Sequence, residues 1–178
     1  MSFFQYKDFT PKLLGDNFIA PDAVIIGQVT LGKKCNVWFK TVIRGDVNFI
    51  TIGENTNVQD LSMLHVTSPL PLIIGSNTSI GHNVVLHACK IGNNCLIGMG
   101  AIILDGAEIG DYSLVAAGSL VPPNKKFPPK SFIVGNPAVV KRELSPHELI
   151  QYGNHYDSYL KYNETYLDPK QFKKIDLE

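Results

Sequence analysis

The strongest constraint on the fold is an aliphatic residue that recurs at every sixth position from residue 19 to residue 121. The period is interrupted three times, which divides the positions into four registers. All 17 positions hold Ile, Leu or Val, although these types make up only 48 of the 178 residues. Seven are followed by glycine. The positions are Ile19, Ile25, Leu31, Val37 and Ile43; Ile52, Val58 and Leu64; Ile74, Ile80 and Leu86; and Ile91, Ile97, Ile103, Ile109, Val115 and Val121.

A strict six-residue period predicts a parallel β-helix. An amphipathic helix repeats at about 3.6 residues and a half-exposed strand at 2. A short strand followed by a tight corner, with one inward side chain per side, gives a coil of about 18 residues on three sides. Such coils stack as parallel strands about 4.8 Å apart. A β-sandwich is the alternative, but its strands recur at about 8–12 residues. We expect the solenoid to span residues 8–140.

The interruptions of the period indicate where function lies. Three extra residues separate Ile43 from Ile52, four separate Leu64 from Ile74, and one is missing between Leu86 and Ile91. Insertions in a solenoid form loops on its outer surface, often on the functional face. We therefore expect the site within residues 44–90.

The last part of the chain predicts a helix that packs on the solenoid. A proline-rich stretch at 122–129 ends the repeat. Ser145, Pro146 and Glu148 form a helix-start signature with a capping box. An apolar stripe at three- and four-residue steps follows, so we expect a helix over 145–163 and one domain over 1–178.

The composition limits the classes of function and the cellular compartments that we expect for this chain. Lysine plus arginine and aspartate plus glutamate both number 16, so a zero net charge gives no reason to expect nucleic-acid binding or an anionic membrane surface. No apolar run is long enough for a membrane-spanning helix, and the first residues lack a secretory signal. Cys35, Cys89 and Cys95 form no CxxC pair. We interpret them as reduced and buried rather than redox-active, in a cytoplasmic protein.

Three of the five histidines predict a metal site. His65 and His87 each directly follow an inward leucine, and their separation of 22 residues equals one coil plus the four-residue insertion. They should therefore stack. His82 lies almost one side away, so it should reach such an ion only from an adjacent chain around a threefold axis. Three imidazoles and an open position are typical of catalytic zinc. The alternative is solvated or hydrogen-bonded corner histidines. His147 and His155 lie on the predicted helix with no third partner, and we interpret them as surface histidines.

Polar residues near the histidines are candidate site residues. Asn57 and Gln59 flank the inward Val58, so their side chains should face outward, where a carboxamide orients a reacting oxygen. Arg44 and Asp60 are candidates for an ion pair across a subunit boundary. Asp46 follows the first register and is the fifth candidate. A solvated surface side chain is the alternative for each.

These segments resemble the gamma-class carbonic anhydrase family. The likeness rests on residues 42–46, 57–60, 64–67, 80–83 and 86–87, with further matches at 118–123 and 134–137, and covers roughly 8–165. It implies a left-handed β-helix and a homotrimer with metal sites at its three interfaces. The left hand comes from the resemblance alone.

The resemblance also implies roles for individual residues. His65 and His87 match the ligands from one subunit, and His82 the ligand from its neighbour. Gln59 matches the glutamine beside the reacting oxygen, with Asn57 near it. The boundary and site wall correspond to Arg44, Asp46 and Asp60. The implied reaction is reversible hydration of carbon dioxide to bicarbonate with Zn²⁺, Fe²⁺ or Co²⁺.

The sequence departs from the best-known active members at the acidic residues that export the proton. Val47 follows Asp46, the insertion at 66–71 contains no acid, and no neighbouring histidine is expected to replace them. Slow, iron- or cobalt-dependent or absent turnover therefore remain open. So do thioester hydrolysis at the same site, a hexapeptide acyltransferase with one catalytic histidine, and a metal-stabilised scaffold. The sequence does not decide whether Tyr159 enters the site.

Overall fold

A computed structural model describes residues 2–175 as twenty strands followed by two helices. Most strands contain two or three residues, as expected of a short side between tight corners. The strands are β1 Ser2–Phe4, β2 Lys12–Leu13, β3 Phe18–Ile19, β4 Val24–Leu31, β5 Asn36–Val37, β6 Val42–Ile52, β7 Asn57–Val58, β8 Met63–His65, β9 Leu72–Ile74, β10 Ser79–Ile80, β11 Val85–His87, β12 Lys90–Ile91, β13 Leu96–Ile97, β14 Ile102–Ile103, β15 Glu108–Ile109, β16 Leu114–Val115, β17 Leu120–Val121, β18 Lys126–Phe127, β19 Ser131–Gly135 and β20 Ala138–Glu143. The helices are α1 Pro146–Gly153 and α2 Tyr156–Leu167.

The strands form the three faces of a solenoid. The first face stacks β3, β5, β7, β10, β13, β16 and β19 in parallel, which gives about seven coils. The second face stacks β8, β11, β14 and β17, and the third stacks β9, β12, β15 and β18. The long strands β4 and β6 contribute to both of these faces, because each pairs with strands on either side of a corner. The fold is the left-handed parallel β-helix of hexapeptide repeats.

The predicted core is confirmed. Every one of the 17 aliphatic positions of the six-residue period is buried, and all of them belong to one hydrophobic cluster. The reason is geometric: a coil interior only a few side chains wide accepts one aliphatic group per side. The three cysteines are also buried without disulfides, and burial raises the pKa of the Cys35 and Cys95 thiols to about 12. Their packing role is as expected.

A column of glycines lies along one corner, where adjacent coils approach most closely. A Cβ atom on Gly53 would lie 2.5 Å from the backbone nitrogen of Ser76, and one on Gly75 would lie 2.7 Å from the backbone of Gly92. These contacts are too short for any side chain. The column therefore fixes how closely the coils stack.

The ends of the solenoid extend further than predicted. At the amino end, β1 pairs with the start of β4, so strand pairing begins at Ser2 rather than at residue 8. At the other end, β20 folds back antiparallel onto β19 and reaches Glu143 rather than residue 140. An antiparallel partner covers the last parallel strand and leaves it no open edge.

The predicted single helix over 145–163 is divided in two. The helix start is confirmed, because Ser145 and Glu148 form the capping box around Pro146. However, α1 ends at Gly153, which packs against Tyr112. The second helix continues to Leu167, and none of the helices within residues 2–175 is long and apolar enough to cross a membrane.

Aromatic side chains attach α2 to the solenoid. Trp38, the single tryptophan, lies 5.5 Å from the Tyr159 ring and 4.8 Å from the Tyr166 ring, both edge to face. Edge-to-face pairs at these distances are favourable beyond the area they bury. The helix therefore covers the first face near the corner that carries His82.

Candidate metal centre

The structure stacks His65 and His87 as the spacing predicted. The two residues are register partners in the parallel pair β8–β11. Their rings are 5.1 Å apart between centroids, and Nδ1 of His65 lies 3.1 Å from Nε2 of His87. We call this end of the second face the paired-histidine corner.

In each of the two imidazoles, the second ring nitrogen is hydrogen-bonded to a carboxylate. Nε2 of His65 lies 3.0 Å from Oδ1 of Asp46, and Nδ1 of His87 is hydrogen-bonded to Oδ1 of Asp105. When each carboxylate accepts the proton that faces it, two lone pairs converge between the rings. Such an arrangement is unfavourable unless a cation or a further proton lies there. Histidine ligands of metals usually donate to a carboxylate in this way, so the corner fits a divalent metal ion.

Asp105 was missed by the sequence analysis, although a signal for it exists. The coil is 17 residues long here, since Leu86 pairs with Ile103, so Asp105 lies one position beyond the residue directly above His87. Position 105 falls in a regular stretch of the repeat, outside the interrupted region in which we searched.

Asp46 is held in its ionised form. Burial acts to raise its pKa, but hydrogen bonds from His65 and Arg44, together with the Arg44 charge, lower the pKa below its ordinary value. The ion pair between Arg44 and Asp46 lies within one chain. Arg44 therefore supports the paired-histidine corner through Asp46, and an additional contact of Arg44 with Asp60 across a boundary stays a prediction.

His82 lies at a different corner, between the first and second faces. Its Nδ1 lies 2.8 Å from Oδ2 of Asp60, so it too has a carboxylate partner. Within residues 2–175, no three His, Cys, Asp or Glu side chains are grouped so that they could hold one ion. That a neighbouring chain brings His82 to His65 and His87 stays a prediction.

Gln59 and Asn57 lie with His82 rather than with the histidine pair. Both side chains are buried, and Nε2 of Gln59 donates to Oδ1 of Asn57 at 3.0 Å. Nδ2 of Asn57 donates in turn to Oγ of Ser79 at 2.8 Å. The outward direction of both amides was predicted, but their cover by α2 was not, because periodicity does not reveal where a helix docks.

A cavity connects these groups to α2. It has a volume of about 250 Å³ and is lined by Gln59, His82, Met99, His155 and Tyr159. A second cavity of about 310 Å³ shares His82 and Tyr159 and is otherwise largely aromatic. Tyr159 therefore enters the region of His82. Burial first, and then the charge of Asp60, raises the pKa of Tyr159 to about 12, so it is neutral.

His155 is not the solvated surface residue that the sequence analysis expected. Its ring is half-buried, and Nδ1 lies 3.1 Å from Oγ of Ser79. The break between α1 and α2 places it there, since it directly precedes Tyr156 at the start of α2. His147 is exposed on α1, as expected.

The insertions lie next to the histidine pair. The β6 insertion contacts the 66–71 loop, since Nδ2 of Asn48 donates to the backbone oxygen of Ser68 at 2.9 Å. Val47, Phe49 and Leu70 are exposed. The exposed side chains of these loops are therefore apolar. The sequence of residues 66–71 also contains no acidic residue that could export a proton.

A parallel β-helix built on a six-residue period defines the class of hexapeptide-repeat proteins. Residues 88–123 match the family model for the bacterial transferase hexapeptide (six repeats). A protein of Methanocaldococcus jannaschii named probable carbonic anhydrase is 51% identical over 147 residues, which is 83% of this chain and 92% of that protein. The chain belongs to the gamma-class carbonic anhydrase family.

Two further comparisons show the breadth of the likeness. The mitochondrial gamma carbonic anhydrase 2 of Arabidopsis thaliana is 36% identical over 96% of this chain, which spans 64% of the plant protein's length. A crystal structure of a hexapeptide transferase family protein from Anaplasma phagocytophilum matches 93% of this chain and 98% of its own, with 36% identity and a TM-score of 0.89. The names of the similar proteins thus divide between carbonic anhydrases and transferases.

Proposed function

We propose that the protein catalyses the reversible hydration of carbon dioxide at metal sites between the subunits of a homotrimer. The observation that carries this is the pair of imidazole nitrogens 3.1 Å apart, each ring held from behind by an aspartate. The pair is one ligand short of a catalytic zinc site, and the partly exposed His82 lies at a neighbouring corner.

The proposed function gives separate roles to the metal ligands, to the carboxylates beside them and to the two amides. His65 and His87 of one subunit and His82 of the next would hold the ion, and Asp46, Asp105 and Asp60 would fix the orientation of the three rings. When bound, a Zn²⁺, Fe²⁺ or Co²⁺ ion supplies Lewis acidity that makes water acidic near neutral pH. Gln59 orients the reacting oxygen, and the Asn57 side chain fixes the Gln59 amide.

The transferase names among similar structures do not favour acyl transfer here. A hexapeptide acyltransferase needs one histidine as a general base, whereas this chain supports three imidazoles with three carboxylates. Hydrolysis of a thioester needs the same metal site, and the aromatic cavity beside His82 has room for an acyl group. We therefore keep thioester hydrolysis as the second candidate function.

The test measures carbon dioxide hydration by stopped flow on protein loaded with zinc and, anaerobically, with iron. His87→Ala is the blank, and His147→Ala is the matched control because it removes an exposed histidine. We expect a rate that depends on metal, is lost in His87→Ala and is retained in His147→Ala. Acyl-CoA hydrolysis is followed in parallel with a thiol reagent, to which the buried cysteines of the protein contribute little.

Each outcome has a clear meaning. A wild-type rate equal to that of His87→Ala, with metal bound, would exclude carbon dioxide hydration, and thioester turnover under the same conditions would establish the second function. Metal without turnover of either substrate would leave a metal-stabilised scaffold. The buried, reduced cysteines support our proposal of a cytoplasmic protein.

A further inference from the structure

The hydration reaction needs a proton acceptor that the known parts of this site do not provide. Addition of water to carbon dioxide forms one C–O bond and yields bicarbonate and one proton, which must leave the site in every cycle. Asp46, Asp60 and the neutral Tyr159 are unsuited, because the two carboxylates are committed to His65 and His82. The insertions offer no acid either.

His155 has the position that such an acceptor requires. Its ring lines the same 250 Å³ cavity as Gln59 and His82, the two groups of this chain on the substrate side of the proposed site. One ring nitrogen, Nδ1, is fixed by Oγ of Ser79 at 3.1 Å. No other hydrogen bond to this ring exists among residues 2–175, so Nε2 is available to water in the cavity.

The position of His155 is also coupled to the substrate-side amides. Oγ of Ser79 binds both His155 and Asn57, and Asn57 binds Gln59. The ring is therefore held in a fixed place by the same network that orients Gln59. It lies at the break between α1 and α2, at the outer margin of the cavity, where exposed neighbours such as Asn154 and Asp157 allow contact with solvent.

We infer that His155 is the proton-transfer residue of this protein, replacing the acidic residues that the insertions lack. In the proposed cycle, Nδ1–H donates to Ser79, Nε2 takes the proton from cavity water, and a buffer base then removes it. The inference rests on the proposed function. The inference extends the proposed function, because it gives a role to a residue that the sequence analysis assigned to the surface.

The surroundings of His155 suit this role electrostatically. The groups that face it are uncharged Ser79 from β10, neutral Tyr159 from α2, and His82 across the cavity, which is itself hydrogen-bonded to Asp60. Burial lowers the pKa of His155 below its ordinary value. The ring is therefore largely neutral at pH 7 and above, as a proton acceptor must be.

The test uses oxygen-18 exchange between carbon dioxide and water, which reports two rates separately. One is the interconversion of carbon dioxide and bicarbonate, and the other is the release of labelled water, which requires proton transfer. His155→Gln keeps a hydrogen-bonding group for Ser79 but carries no proton at neutral pH. His147→Gln is the matched control, and the metal-loaded full-length protein is used throughout.

We expect His155→Gln to interconvert carbon dioxide and bicarbonate at the wild-type rate but to release labelled water roughly 10²-fold more slowly in weak buffer, within the range of positioned proton transfer. Added imidazole should restore most of that loss, and kcat/KM should not change. In His147→Gln, both rates should equal those of the wild type.

Two results would overturn the inference. Equal release of labelled water by wild type and His155→Gln shows that the proton leaves by another route. A parallel loss of both rates without rescue by imidazole shows a merely structural residue. Zero interconversion in the wild type is a separate failure, that of the proposed function itself. Independently of turnover, an NMR titration of the His155 ring should give a pKa below the ordinary value for histidine; a ring that does not titrate would also contradict the inference.

Discussion

The paired-histidine corner and the His82 corner divide between them what a metal enzyme needs. The first has two converging imidazoles with carboxylates behind them, but it is bordered by apolar loops. The second has one imidazole, an oriented carboxamide and two cavities beneath α2. In the proposed function, the first corner would hold the ion and the second would receive the substrate. Since a face of the same solenoid separates them, the proposed site requires that they meet between chains.

The largest expected effect comes from damaging the two corners in different subunits. His87→Ala and His82→Ala should each reduce metal content to background, because each removes one of three ligands. Trimers assembled from an equal mixture of the two variants should regain about a quarter of the wild-type metal, since each mixed trimer contains one intact site. Metal analysis after co-refolding measures this.

The same experiment can also contradict the proposed division of roles between the two corners. Full metal content in His82→Ala would show that the paired-histidine corner binds the ion alone. Absence of recovery in mixed trimers would contradict a site shared between subunits.

The next effect concerns the carboxylate behind His87. Asp105→Asn should weaken zinc affinity roughly 10- to 100-fold, because an amide fixes the His87 ring less well than a carboxylate does. Competition with a chromophoric chelator measures the affinity. Asp111→Asn, one corner further along the same coil, is the control, and equal affinities in the two variants would remove Asp105 from the site.

A smaller effect should separate substrate turnover from metal binding. Tyr166→Ala removes ring contacts of α2 with Phe18 and Trp38 at 5.5 and 4.8 Å, and should cost about 2 kcal/mol of stability. Turnover should fall more than zinc affinity, because the loosened helix covers the His82 corner. Leu167→Ala is the control, since Leu167 lies on the same helix and is 54% exposed. Equal falls in turnover and affinity would contradict the division between corners.

The smallest effect concerns the pH at which α1 detaches. The hydrogen bonds from Arg142 first, and then the backbone and side chain of Ser145, lower the Glu148 pKa from 4.5 to about 2. Because the folded-state pKa is depressed, this stabilisation is present above pH 4.5 and is lost as the pH falls toward 2. Trp38 fluorescence should report earlier loosening of the helices in acid than far-ultraviolet signals report for the coils.

A pair of variants checks this last prediction. Glu148→Gln should flatten the pH dependence of Trp38 fluorescence in that interval, and Ser145→Ala should cost about 1 kcal/mol at neutral pH. An unchanged acid profile in Glu148→Gln would show that the helix start does not control the attachment of α2.

The contrast between the corners also explains what the sequence could predict. In a solenoid, position along the chain converts to position in space by counting, so the core and the stacking of His65 on His87 followed from the six-residue period. The same counting places Asp105 one position beyond the register partner of His87. The position of His155 cannot be counted in this way, because it depends on how two helices dock on the solenoid through aromatic side chains.

The stacking of equivalent residues on successive coils has an evolutionary consequence. Parallel rungs about 4.8 Å apart place any two outward side chains at matching positions within reach of one small ion. A site of this kind needs no dedicated loop or domain: two substitutions to histidine at one register position create two of its three ligands. Assembly with a second copy supplies the remainder. A repeat selected for stability thus offers many starting points for metal chemistry along its length.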